Sequence, residues 1–238
     1  MLSEAIGYPW TGEQKLEIIL VGGILSVLGF LLLPLFVVYG YLVRVVREAS
    51  TGDAETPPPF EDWERLLVEG FEALIVTFVY SLLPALVLSA VAVLSLLPLL
   101  GAAMSGEPVT IGVVAVLIGL VLALLALVLS LAVAFLTPAA VGAFVRTGRL
   151  GAAFSPSEVR AVAGHGGYQS AWVVALVVVI GGGIVAGVLA ATVIGAILTP
   201  FVMFYASVAA AYAIGRGISD APAAMDGTDR QTTGQPAA

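Results

Sequence analysis

The reactive side chains in this sequence limit the chemistry that it could support. It contains one histidine, His165, in the stretch GHGGY, and no cysteine. A histidine in a turn can act as a pH-sensitive switch. A solvated loop histidine is the simpler interpretation, because no acid or cysteine lies at ligand spacing. We therefore predict no metal site and no bound cofactor.

Carboxylates next to apolar runs are the second group of candidates. Glu69 and Glu72 lie nearest to a predicted span, and a buried acid there could couple to protons. Their spacing instead favours the polar side of a helix at the membrane surface. Glu107 is a lone acid in the short loop GAAMSGEPVT. Because the sequence has no Ser/His/Asp set, paired intramembrane acids or HExxH motif, we predict that the protein is not an enzyme.

Two apolar segments share a proline and a tyrosine at the same spacing. LPLFVVYGYLVRVVR contains Pro34 and Tyr39, and TPFVMFYASVAAAYAIGR contains Pro200 and Tyr205. In transporters, broken helices related by an internal repeat often line a central site. The alternative is that each tyrosine packs in the bundle with its hydroxyl bonded to a neighbour.

Composition predicts an integral membrane protein. Apolar residues make up 60% of the 238 residues and charged residues 11%, against about 25% charged in a soluble domain. The lipid bilayer is therefore a partner. The net charge of −7 with a single lysine suggests a high-salt cytoplasm. It also argues against nucleic-acid binding, which needs clustered basic residues.

The basic residues set the predicted topology, because arginine and lysine collect in short cytoplasmic loops. If the first apolar run is a hairpin broken at Pro34, all of them are cytoplasmic, and so are both termini. If it is one helix, there are five spans and the N-terminus is outside. We prefer six spans in the cell membrane. The arginines expected to hold helix ends in the cytoplasm are Arg44, Arg47, Arg146, Arg149 and Arg216.

The predicted fold is an all-α, polytopic helical bundle forming a single transmembrane domain over residues 1–216. Two short cytoplasmic amphipathic helices should lie at the interface. One starts near Phe60, and the other follows a capping box formed by Ser155 and Glu158. Residues 217–238 should be a disordered cytoplasmic tail. The expected spans are about 16–33, 34–47, 70–100, 109–136, 170–198 and 200–216.

A row of small residues recurs every fourth position in the fifth predicted span. Such a row lets a second helix, from another membrane protein or another copy, approach closely. It also predicts one continuous helix to about residue 198, with the break at Thr199. The members of this predicted packing face are Gly183, Gly187, Ala191 and Gly195.

Three motifs together resemble a known membrane family. LPLFVVYGYLVRVVREASTGD is followed by PPPFEDWERLLVEGFEALIV and later by AAFSPSEVRAV. This pattern is similar to the archaeal and bacterial membrane family named domain of unknown function 4013, from about Tyr8 to Arg216. The acidic bias is similar to that of halophilic archaeal members. The resemblance implies a membrane location and a helical architecture, but no activity and no functional residues.

These features lead to two functional hypotheses. The first is a non-enzymatic scaffold or accessory subunit of a membrane complex, which would use the glycine face and the acidic loop to meet its partners. The second is a small transporter or permease component for a neutral solute, which the proline-broken segments favour.

Overall fold

The computed structural model describes residues 1–52, 54–105 and 109–219, and within these ranges the chain is helical without a strand. Glu107 and most of the expected tail lie outside them. Short 3₁₀ turns at Tyr8–Trp10, Leu28–Leu31 and Leu150–Phe154 join some of the helices. The predicted all-α class is confirmed. The helices are α1 (Leu2–Gly7), α2 (Lys15–Val27), α3 (Leu33–Thr51), α4 (Trp63–Ser105), α5 (Val109–Thr147), α6 (Pro156–Ala163), α7 (Gly166–Ala190) and α8 (Val193–Ile218).

The described residues contain fewer spans than the six preferred from the sequence. Four helices are long and apolar enough to cross a membrane: Trp63–Leu94 of α4, Val116–Thr147 of α5, and α7 and α8. A fifth span results if Leu2–Trp10 and Lys15–Leu31, which are bent by 89°, count as one. The missing span is α3, because its last two turns carry three charged side chains, which leave its apolar part short. Those side chains are Arg44, Arg47 and Glu48.

The prolines divide the chain differently from the prediction. Pro34 lies in the first turn of α3, as predicted. Pro138 and Pro200 instead lie inside α5 and α8, so neither opens a separate segment. The break between α7 and α8 comes earlier than Thr199. There the Thr192 side chain caps α8 by accepting a hydrogen bond from the Gly195 N–H at 3.0 Å.

One of the two expected surface helices is a separate element. It is α6, which begins at Pro156 after Ser155, as predicted. Its capping hydrogen bond is absent, because the Ser155 hydroxyl pairs with that of Ser157 at 3.0 Å. The other amphipathic stretch begins at Trp63 and continues without interruption into the long α4, so it is not a separate short helix.

The chain divides into two compact units. Of the described residues, the first contains those of Met1–Leu74 and those from Ala139 onward. Within it, α1, α2, α3 and α7 all pack against α8. Small residues permit this close packing: a Cβ on Gly215 would lie 2.5 Å from the Ala49 Cβ, and one on Gly22 would overlap the Phe204 ring.

The second unit covers Ile75–Pro138, the later part of α4 and the earlier part of α5. Most of its large apolar side chains are exposed, among them Leu86 and Leu120. Val76 and Ala126 are fully buried. An exposed apolar surface of this kind matches a lipid environment, where tails are as apolar as leucine.

Two glycines allow the backbones of α3 and the first turns of α4 to touch. A Cβ on Gly40 would overlap the Leu66 carbonyl, and a Cβ on Gly70 would overlap the Phe36 carbonyl. Backbone atoms cannot move aside as a flexible side chain can. The crossing of these two helices therefore requires glycine at both positions.

We expect Gly70→Ala to lower the free energy of unfolding by about 3 kcal/mol, because the methyl group overpacks a backbone contact. The matched control is Gly181→Ala on α7, where a Cβ meets nothing within 4 Å. Its stability should be unchanged or slightly raised. Unfolding in detergent micelles, followed by circular dichroism, measures both variants. Equal stability of the two would contradict the backbone contact.

Candidate functional site

The most elaborate polar arrangement surrounds residues 54–62, AETPPPFED, which we call the proline strap. Prolines have no N–H, so the run of three supplies carbonyl acceptors without donors. Buried carbonyls need partners, and side chains of the first unit provide them. Four hydrogen bonds hold the strap: Tyr8 Oη to the Thr56 carbonyl (3.1 Å), Thr11 Oγ1 to that of Glu55 (3.2 Å), Tyr41 Oη to that of Pro58 (3.0 Å) and an Arg44 guanidinium nitrogen to that of Pro59 (3.2 Å).

Stacked aromatic rings also hold the strap in place. Phe60 stacks on Tyr41 with 4.1 Å between ring centroids, and its centroid lies 6.3 Å from that of Phe204 on α8. Tyr8 stacks on Tyr212 of α8 at 4.0 Å. Such ring pairs contribute about 0.5–1.5 kcal/mol beyond the area they bury. The strap is therefore a fixed part of the first unit, tied to α3, α8 and the N-terminal turn.

A buried carboxylate lies beside the strap on α4. Glu69 is only 7% exposed, so the expectation that it faces solvent is wrong, whereas Glu72 is half-buried. Both oxygens of Glu69 accept from Arg47 of α3, at 2.8 and 2.9 Å. Arg65 Nε donates to the same carboxylate at 2.7 Å. Two guanidinium groups thus compensate one buried charge, and the Arg47 bond joins α3 to α4.

Three of the five arginines expected to anchor helix ends, Arg44, Arg47 and Arg216, have identified partners inside the chain. Besides its bond to the strap, Arg44 lies 3.9 Å from the Asp62 carboxylate. Arg216 of α8 donates to the Gly52 carbonyl at 3.3 Å. Arg146 is half-buried at the end of α5, and Arg149 is exposed. Their topogenic role stays a prediction.

Glu48 differs from Glu69 in having no close cation. It lines an open depression of about 430 Å³ with Thr51, Ala54, Glu55 and Thr56. Among the described residues, no hydrogen bond or ion pair within 4 Å involves its carboxylate. Burial raises the pKa of Glu48, and the more distant positive charges of Arg44 and Arg47 offset this only in part.

The predicted row of small residues is split between two helices. A Cβ on Gly183 or Gly187 would meet nothing within 4 Å, so both lie on an open face of α7. Ala191 falls in the break after α7, and Gly195 lies against the Leu189 carbonyl. The close contact between α7 and α8 uses Gly182 instead, where a Cβ would lie 2.6 Å from the Ala206 Cβ.

The structure does not pair the two tyrosines that a repeat would relate. The Tyr205 hydroxyl donates to the Ile6 carbonyl of α1. Tyr39 is half-buried on α3, and within the described chain the two rings make no contact. His165 lies at the N-terminal boundary of α7, half-buried, and its backbone amide bonds to the Val162 carbonyl.

Sequence reasoning missed the residues that hold the strap. Tyr8, Thr11 and Tyr41 are separated from their acceptors by up to 48 positions, so no local pattern identifies them. The available signal is the proline run at 57–59, which supplies carbonyl acceptors and no N–H donors of its own.

Fold and composition together define an all-helical protein with several helices suited to membrane insertion. Over residues 27–194 the chain matches the family described as protein of unknown function (DUF4013), and it belongs to that family. The resemblance noted from the sequence motifs is thereby confirmed, whereas the halophilic affinity stays a prediction. No curated protein and no solved structure matches the chain.

We expect Glu69→Ala to lower the free energy of unfolding by about 2–3 kcal/mol, since Arg47 loses both of its charged acceptors. The control is Glu61→Ala in the strap, where an exposed carboxylate is removed and the change should stay within about 0.5 kcal/mol. Chemical denaturation in detergent compares the two. Similar losses in both variants would show that the buried pairing contributes nothing specific.

The raised pKa of Glu48 predicts a pH-dependent stability difference. A carboxyl group whose pKa is higher in the folded state than in the unfolded state loses stability as the pH rises through the folded value. Glu48→Gln should therefore be more stable than the native chain at neutral pH. The difference should vanish below the ordinary value of 4.5, where both side chains are neutral.

Thermal unfolding across this pH range measures the difference, with Glu55→Gln as the control from the same depression. A constant difference at every pH would show that ionisation of Glu48 is not its source.

Proposed function

We propose that the protein is a non-enzymatic scaffold or accessory subunit of a membrane complex. The observation that carries this proposal is how the charged groups nearest the apolar helices are used. Arg44 donates a hydrogen bond to the backbone of the strap. Arg47 of α3 is paired with Glu69 of α4. Each such bond fixes the relative position of two segments. This arrangement favours a rigid platform over a site that must exchange a ligand.

The proposed location is the cell membrane, with both termini on the cytoplasmic side. The positive-inside preference supports it, because Lys15, Arg47 and Arg216 all belong to the strap end of the first unit. In this orientation the strap faces the cytoplasm and displays exposed carboxylates to partners. Those carboxylates belong to Glu55, Glu61 and Asp62.

The proposed contact surface within the membrane is the open face of α7 at Gly183 and Gly187. Helices in lipid associate by close packing, and small residues allow the backbones to approach. The partner is another membrane protein or a second copy of this chain. The remaining exposed apolar surface is covered by the bilayer.

We expect Gly187→Leu to weaken this association, because the larger side chain fills the space that the partner helix would occupy. Gly181→Leu is the matched control: it lies on the same helix, also meets nothing within 4 Å, but points to another face. Native mass spectrometry from nanodiscs measures the assembled fraction. A chain that is monomeric in its native membrane, or equal assembly of both variants, would refute the proposal.

A further inference from the structure

We propose that α2 and α3 form a re-entrant hairpin. It enters the hydrocarbon core from the cytoplasmic face, turns inside the core, and returns to the same face. The turn, residues 28–33, is then surrounded by lipid acyl chains and reaches neither aqueous phase. The lipid-contacting surface of this turn is separate from the proposed packing face on α7.

The turn exposes four consecutive large apolar side chains. Their exposed fractions are 77% for Phe30, 55% for Leu31, 59% for Leu32 and 63% for Leu33. Turns in water are built from glycine, proline, asparagine, aspartate or serine. Exposing this many apolar side chains to water is unfavourable in proportion to the apolar area exposed. Acyl chains are the medium in which that cost disappears.

Charged residues are confined to the opposite end of both arms. α2 begins with Lys15 and Glu17, and α3 ends with Arg47 and Glu48. The Lys15 ammonium lies 5.3 Å from the ring centroid of the exposed Trp10. Lysine and tryptophan are both residue types that favour the headgroup region. α1 and its 3₁₀ turn meet α2 at 89°, so α1 lies along the membrane surface when α2 enters the core.

The arms are too short to cross the bilayer. A helix rises 1.5 Å per residue, so Lys15–Leu31 covers about 25 Å and the part of α3 from Leu33 to Arg44 about 17 Å. The hydrocarbon core is about 30 Å thick. Arg44 cannot extend the shorter arm by reaching outward, because its guanidinium is bound to the Pro59 carbonyl. The turn therefore lies near or just beyond the middle of the core.

Part of the backbone of the turn is hydrogen-bonded within the chain, which matters in a medium without water, where each unpaired polar group is costly. The Leu32 N–H donates to the Gly29 carbonyl at 3.1 Å, and the Phe36 N–H donates to the Leu32 carbonyl at 3.0 Å. Pro34 has no N–H to satisfy. Leu32 itself has φ 65°, a strained value for a leucine.

Contacts with α8 hold the hairpin in place. Positions that a Cβ would fill on Gly22 and Gly23 are occupied by the rings of Phe204 and Phe201. Tyr41 of the second arm lies 5.7 Å from Phe204, measured between ring centroids. Both arms thus rest on one helix that is itself long and apolar enough to cross the membrane.

Site-directed labelling tests the hairpin, since the native chain has no cysteine. Leu32→Cys in sealed vesicles of either orientation is treated with a membrane-impermeant maleimide. We expect no labelling from either side, full labelling after denaturation in SDS, and labelling of Ser3→Cys from the cytoplasmic side. Leu31→Cys repeats the test where the backbone is unstrained.

Spin labels at two positions extend the test. The ratio of the collision rate with oxygen to that with a water-soluble nickel complex should be at least twice as high at residue 32 as at residue 20, in the middle of the first arm. Labelling of Leu32→Cys from outside would overturn the proposal in favour of a hairpin that crosses the membrane. Labelling from the cytoplasmic side would overturn it in favour of a turn outside the bilayer.

Discussion

Unpaired backbone acceptors impose the constraint on which the polar end of the first unit depends. Three consecutive prolines at 57–59 present carbonyls and contribute no donors, and a hydroxyl and a guanidinium group from another segment donate to two of these carbonyls. Tyr8 brings the N-terminal turn, and Tyr41 and Arg44 bring α3. Phe60 then seals the layer against α8. The proline strap, which has no regular secondary structure, thus fixes the positions of three helical elements: the N-terminal turn, α3 and α8.

The association of the helices with one another depends on close packing. The hydrophobic effect contributes little, because it is weak between helices already surrounded by lipid. Glycine and alanine are placed where backbones or rings come closest, as at Gly40 and Gly70 between α3 and α4. The buried Glu69 adds a directional constraint to the same crossing. The Arg47–Glu69 pair joins α3 to α4 at defined atoms, in addition to the glycine contacts.

Residue patterns predicted what depends on local sequence. Composition indicated a membrane protein, Pro34 indicated the start of α3, and Ser155 with Pro156 indicated the start of α6. What depends on distant partners was missed. Glu69 belongs by spacing to a polar face, and one of the two guanidinium groups that compensate its burial comes from Arg47, 22 positions earlier. The four-residue spacing of small side chains continues to Gly195, whereas α7 ends at Ala190 and Thr192 caps the start of α8. Pro138 and Pro200 look like helix starts, yet spanning helices tolerate them.

The packing of both ends of the chain on α8 has a consequence for biogenesis. Tyr205 bonds to the Ile6 carbonyl across 199 positions of sequence. At about 5–20 residues per second, a ribosome needs about 10–40 s to travel that distance. During that interval α1, α2 and α3 are already made and their main packing partner is not. Until α8 is made, α3 can already cross α4 at Gly40 and Gly70. Lipid or the insertion machinery must cover the surfaces that Phe201, Phe204 and Tyr212 later occupy.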